Sequence, residues 1–185
     1  MGSLEKFLGK NSLALLGKIA KGWTSFVYLA ENNNGKKFAV KVLRDKANRM
    51  DMVKREFENL SLANSVRVGP KLFKADFDNN VIAWEYVDGM VFSDWLFSNP
   101  KKKELEKFIA LLYYQAEKLD EIGLDHGQLT GRGHNIIVSK GKPVIIDFEK
   151  ASSKRKVHNK NVIDAFFFRN KNSKVVKKIR GIMSE

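Results

Sequence analysis

The sequence predicts an α+β chain in two parts, a small antiparallel sheet carrying one helix and then a mainly helical half; three observations predict it. Up to about Tyr86, apolar runs of strand length alternate with turn residues, whereas one long amphipathic stretch, Lys101 to Ile122, dominates the rest of the chain. Asn34-Gly35 stands between two apolar runs, where that dipeptide closes a hairpin. Only three Pro interrupt the chain, and no Ser/Gly-rich linker or internal repeat is present, so any boundary is short. The change of character at Asp88-Gly89 divides the chain into residues 1–87 and 88–185.

In order along the chain, Leu4 to Leu16 has loose helical spacing, Gly17 to Ala30 turns into glycine-punctuated strand, and Lys37 to Leu43 is the second arm of a hairpin. Arg49 to Ala63 places Met50, Val53, Phe57 and Leu60 at helical period. Two more strands are expected at Lys71 to Phe77 and Val81 to Tyr86, joined by the polar turn Asp78-Asn79-Asn80. In the second part, Ser93 to Phe97 and Lys101 to Ile122 read as helices, the latter stopped by Gly123. Short strands at Asn135 to Val138 and Pro143 to Ile146 flank a Lys140-Gly141-Lys142 turn, and Val162 to Phe168 and Lys174 to Met183 read as final helices.

Composition excludes several classes. The absence of Cys removes disulfides, thiol nucleophiles and thiolate metal sites. No apolar run approaches the roughly 18 residues of a membrane span, no signal segment opens the chain, and Lys6 stands where myristoylation wants Ser or Thr. A soluble, cytoplasmic protein is expected, with no membrane partner. Net charge is +13, and Ser139 to Glu185 carries thirteen Lys or Arg against four acids, so about +9 of it lies in the last quarter. Such a field favours anionic partners, RNA or a ribonucleoprotein first, an acidic protein surface next; a solvated basic tail is the plainer reading.

Chemistry concentrates in a few places. Gly22 and Ser25, between hairpin strands, are small enough for backbone amides to approach a phosphate, although a lone glycine there is more often a turn residue. Lys41 interrupts the apolar strand Phe38-Ala39-Val40, and a buried ammonium needs an anion nearby, either a carboxylate or a ligand phosphate. Glu56, on the following helix, is the candidate carboxylate; Glu58 faces elsewhere. Asp147 directly follows the apolar run Val144-Ile145-Ile146, where a strand end fixes a hard-cation ligand at a cleft edge. Alone, Asp147 is equally a turn or cap residue, but a hairpin brings it to the same end as Asn135. His134 and His158 lack neighbours at zinc-ligand spacing. Phe166-Phe167-Phe168 reads as core packing, and Ser152 and Ser153 beside Lys154-Arg155-Lys156 as a polar loop open to autophosphorylation.

From about Leu15 to Phe168 the pattern resembles the protein-kinase-like superfamily. AKGWTSFVY resembles the glycine-rich loop, with Ala20 and Ser25 in place of glycines around Gly22 and with Val27 beyond; FAVK resembles the motif of the phosphate-holding lysine, Lys41, and REFENL supplies its glutamate, Glu56. WEYVDG resembles the hinge, where backbone groups of Glu85 and Val87 would meet adenine and Trp84 would be a bulky gatekeeper. DHGQL resembles the catalytic loop, with His126 as a structural brace, and IDFEKAS the metal-binding segment, with Glu149 in place of its glycine. The resemblance implies a bilobal protein-kinase-like fold, an N-lobe antiparallel sheet plus one helix against a minimal C-lobe, with ATP and Mg2+ as cofactors and Asp147 and Asn135 as metal ligands. The short second half, without an APE motif, is most similar to small archaeal-type kinases, the Rio family and the kinase of the KEOPS tRNA-modification complex. That implies Ser/Thr protein kinase or kinase-fold ATPase activity on a docked macromolecule.

Two departures qualify the catalysis. Gln128 occupies the position of the catalytic-loop aspartate; an amide is no general base, yet it can orient a hydroxyl, and phosphoryl transfer depends chiefly on positioning. From Gln128 to Asn135 is seven positions, where the family pattern has about five, which puts extra residues in Gly131-Arg132-Gly133. Asp125 stands nearby as a substitute carboxylate only if it swings across His126. A pseudokinase scaffold is therefore the alternative to an active enzyme. The aminoglycoside kinases share the EYVDG and His-Gly wording, but this C-terminal region is short and basic.

Overall fold

The computed structural model describes residues 2–44 and 51–184, so Arg49 and Met50, at the start of the expected helix, lie outside the described residues. Strands β1 (Leu13–Lys21), β2 (Ser25–Asn32), β3 (Lys37–Leu43), β4 (Leu72–Asp76) and β5 (Val81–Glu85) form an antiparallel sheet in the order β1-β2-β3-β5-β4. Helix α1 (Ser3–Lys10) precedes it and α2 (Met52–Ser65) lies between β3 and β4.

One boundary differs from expectation. The helical reading of Leu4 to Leu16 is too long: α1 stops at Lys10, and Leu13 to Leu16 begin β1. The Asn11 side-chain amide donates to the Phe7 carbonyl at 2.8 Å, and Ser12 turns the chain at φ 51°. Leu13 then joins Phe7, Leu8 and Phe38 in a small core. Leu15 and Leu16 are each 50% exposed, so their spacing serves no buried helix face. They lie on the outermost strand, whose pairing with β2 is irregular between Leu15 and Gly17 and again between Lys18 and Ala20.

Just past the expected division, a Cβ at Gly89 would lie 2.4 Å from the Val138 carbonyl oxygen, so no larger residue fits this approach. Strands β6 (Met90–Val91), β7 (Ile136–Ser139) and β8 (Lys142–Ile145) form a second antiparallel sheet. Helices α3 (Phe92–Phe97), α4 (Lys102–Glu121), α5 (Asn159–Asp164) and α6 (Lys174–Ser184) surround it. The start of α4 is capped by Glu104, whose carboxylate accepts the Lys101 amide at 2.9 Å. The expected helix Val162 to Phe168 is split: α5 ends at Asp164, and Ala165–Arg169 widens into a π-helical turn. That turn buries Phe167 against Phe92 at 5.3 Å and leaves Phe168 39% exposed. Phe92 also stacks on Phe108 at 5.1 Å, so α3, α4 and the C-terminal turn share one aromatic centre. The whole is α+β, with the antiparallel N-terminal sheet and helical remainder of a small kinase-like bilobal fold.

Candidate functional site

Strand register builds the first wall of the site. Ala20 pairs with Val27, Val27 with Lys41, and Lys41 with Ile82, so these four residues form one row across β1, β2, β3 and β5. Directly opposed residues share a face of the sheet, which sets the Ala20 and Val27 side chains beside Lys41. The Lys41 side chain is 7% exposed, and its Nζ lies 2.7 Å from Glu56 Oε2 on α2. Two further carboxylates close on the same ammonium, Glu149 at 3.1 Å and Asp147 at 3.6 Å. Glu58 is exposed and takes no part in this cluster.

One cation inside three anions fixes the electrostatics. Burial alone would lower the Lys41 pKa, but Glu56, Asp147 and Glu149 outweigh it and hold it above its ordinary value, so the ammonium stays charged. Burial pushes Glu56 up, against the lowering pull of Lys41. His126 is driven down by burial and is neutral; its Nε2–H donates to the Ile146 carbonyl at 3.0 Å, bracing the loop against the residue before Asp147. That is the structural role the resemblance implied.

The loop's length does not displace Asn135. The Ile146 amide donates to the Asn135 carbonyl at 2.9 Å, joining the ends of β7 and β8, so the hairpin sets Asn135 against the residue before Asp147. The Asn135 side-chain amide donates to the Gln128 carbonyl at 2.7 Å, which leaves Oδ1 as its ligand-capable atom. The extra residues fold over it: Gly131 is at φ +46°, and a Cβ there would meet Asn135 Cγ at 2.5 Å. Gly131→Ala is expected to cost more than the roughly 1–2 kcal/mol of a left-handed alanine, because the contact must also open. Thermal denaturation of the variant checks this; an unchanged melting temperature contradicts it.

Asp125 is not a substitute carboxylate. It is 2% exposed, accepts from Arg155 Nε at 2.9 Å and lies 3.3 Å from His158 Nδ1. Gln128 is exposed. Gly22 donates to the Ser25 carbonyl at 2.8 Å in a tight turn whose tip residue, Trp23, is 94% exposed, and Ser25 is buried at 6%. At the hinge position, the Glu85 carboxylate takes Lys36 and Lys71, the Glu85 amide donates to the Lys71 carbonyl at 2.8 Å, and Val87 is half-buried.

Among the described residues no group of three His, Asp or Glu forms a preformed metal cage. A divalent ion in a phosphate site takes one or two carboxylates together with the phosphates, and the excess of carboxylate over ammonium at Lys41 suits it. Sequence reasoning missed two participants. Glu149 was legible only as an acid in a glycine's place, and Asn59, which donates to the carbonyls of Phe148 at 3.2 Å and Ala151 at 2.8 Å, carried no signal.

Comparison with known proteins gives two matches. Residues 45–172 match the RIO domain family, a stretch that begins just after β3 and so leaves Lys41 and the glycine-loop hairpin outside it. The chain is also 35% identical over 79 residues to the KEOPS complex subunit Bud32 of Pyrococcus abyssi, a match spanning 43% of this chain and 34% of that protein. The chain thus spans about a third of the length of the curated relative it matches. No helix among the described residues is long and apolar enough to cross a membrane. With more than half of its length matched, and with the kinase-like fold built around it, the chain belongs to the RIO domain family.

Proposed function

We propose that the chain is an ATP-dependent phosphotransferase of minimal Rio-like type, acting as a Ser/Thr protein kinase or as a kinase-fold ATPase. The buried Lys41–Glu56 pair, 2.7 Å long with Asp147 at 3.6 Å, is the observation that carries this reading. A lysine held charged and fixed by a helix carboxylate is a ready counter-ion for phosphates. Ala20, Gly22, Ser25 and Val27 line the phosphate side, and backbone groups of Glu85 and Val87 take the adenine. Asp147 and Asn135 Oδ1 hold magnesium, which when bound offsets charge on the phosphate oxygens. Gln128 orients the acceptor hydroxyl. Membership of a named complex by the Bud32 relative supports docking on a protein partner, and the basic C-terminal region supports contact with RNA or a ribonucleoprotein.

Radiolabelled ATP with magnesium tests the assignment: autophosphorylation or slow hydrolysis is expected, and it disappears in Asp147→Ala and in Lys41→Ala. Activity surviving both substitutions defeats it. Gln128 favours a second reading, a nucleotide-binding scaffold without turnover. Gln128→Asp separates the two, since it raises turnover in an enzyme lacking only its base and changes nothing in a scaffold.

A further inference from the structure

Lys41 faces more negative charge than one ammonium balances, and a polyphosphate brought to the same ammonium adds more. One carboxylate must leave or be neutralised. Glu56 is fixed in α2 with its side chain 4% exposed, and Asp147, 42% exposed, is the metal-ligand candidate. Glu149 is the third, and among the described residues it is the one of the three that lines a second cationic cleft. It lines a cleft of about 510 Å³ between α2 and the segment after β8, whose other walls include Arg55, Lys150, Lys154 and Arg155, with Glu58 as the one other acid among the described residues that line it. Arg155 is committed to Asp125, but among the described residues no carboxylate pairs with Arg55, Lys150 or Lys154.

The backbone around Glu149 does not need to move. Asn59 donates to the carbonyls of Phe148 and Ala151 on either side of it, and Phe148 is 1% exposed in the core. From these contacts we infer that Glu149 exchanges partners: its side chain occupies Lys41 when the phosphate site is empty and turns into the Arg55–Lys154 cleft when a nucleotide triphosphate takes its place. Glu149 is then a positioning residue that competes with the ligand for the phosphate-holding lysine. The inference rests on the nucleotide reading proposed for this site.

The test is a titration of methylanthraniloyl-ATP with magnesium, read by fluorescence, into the wild type, Glu149→Gln, the pair Arg55→Ala/Lys154→Ala, and the three combined. Removing the competing charge is expected to tighten binding about tenfold, and removing the receiving cations to weaken it several-fold in the wild type but not in the Glu149→Gln background. Glu149→Ala repeats the first arm with a different replacement, and melting curves without nucleotide establish that each variant is folded. Unchanged or weaker binding by both Glu149 variants overturns the exchange, as does an Arg55/Lys154 effect of equal size in both backgrounds. Absence of binding by the wild type and by Glu149→Gln alike removes the nucleotide reading itself, and the exchange with it.

Discussion

Lys41→Met is expected to lose about 3–5 kcal/mol of folding stability at neutral pH, as removal of one partner from a buried pair leaves its charge uncompensated. Here the cost falls on Glu56, 4% exposed, with Asp147 and Glu149 brought near by the same lysine. A protonated Glu56 escapes it, which gives the effect a pH sign. Burial already pushes the Glu56 pKa up, and losing the ammonium that pulls it down raises it further. A carboxylate whose folded pKa is raised binds more protons in the native state than in the unfolded one, so stability falls as pH rises through that window. The deficit of Lys41→Met should therefore be largest at pH 7 and shrink as pH approaches the ordinary glutamate value of about 4.3. Urea denaturation of wild type and variant at several pH values measures it. A deficit of constant size across that range means that the uncompensated charge is not on Glu56.

Phe92→Ala is expected to cost a comparable amount, about 3–5 kcal/mol, for a different reason. Phe92 is fully buried and meets Phe108 at 5.1 Å, Phe167 at 5.3 Å, and Trp95 and Phe166 at 6.2 Å each. These rings come from α3, α4 and the π-helical turn, and no single neighbour can move to fill the space without leaving its own element. The loss should be nearly independent of pH, since no titrating group lies in that aromatic cluster, and this sets it apart from the Lys41 variant. Chemical denaturation reads the loss, and Phe92→Leu, which restores most of the volume, should recover a large part of it.

How much of this was legible in the sequence depends on range. Lys41 and Glu56 could be paired because an ammonium within an apolar strand demands a counter-ion and a carboxylate sits on the next helix. Asn135 could be placed against the end of the strand before Asp147 because a two-strand hairpin leaves little choice. The end of α1 was not legible: Leu13, Leu15 and Leu16 fit a helical period as well as an edge strand, and the turn at Ser12 has no strong sequence signature. Neither was the closing of Glu149 on Lys41. It depends on Asp147 adopting a left-handed backbone, φ 66°, which turns the chain at the end of β8, and nothing in Ile-Asp-Phe-Glu announces that conformation. The same holds for Asp125, which looked available from its place beside His126 and is held by Arg155, thirty residues away along the chain.

The irregular pairing of the outermost strand has a consequence for how the molecule behaves in company. With Leu15, Leu16 and Ile19 about half exposed, β1 offers an apolar rim and a row of backbone groups that a second copy could extend. The two breaks in register bend that rim, and Lys18 and Lys21 set like charges along it, so two such edges laid against each other fall out of step within a few residues and repel. A strand that looks adhesive in composition is thereby kept from templating its own kind.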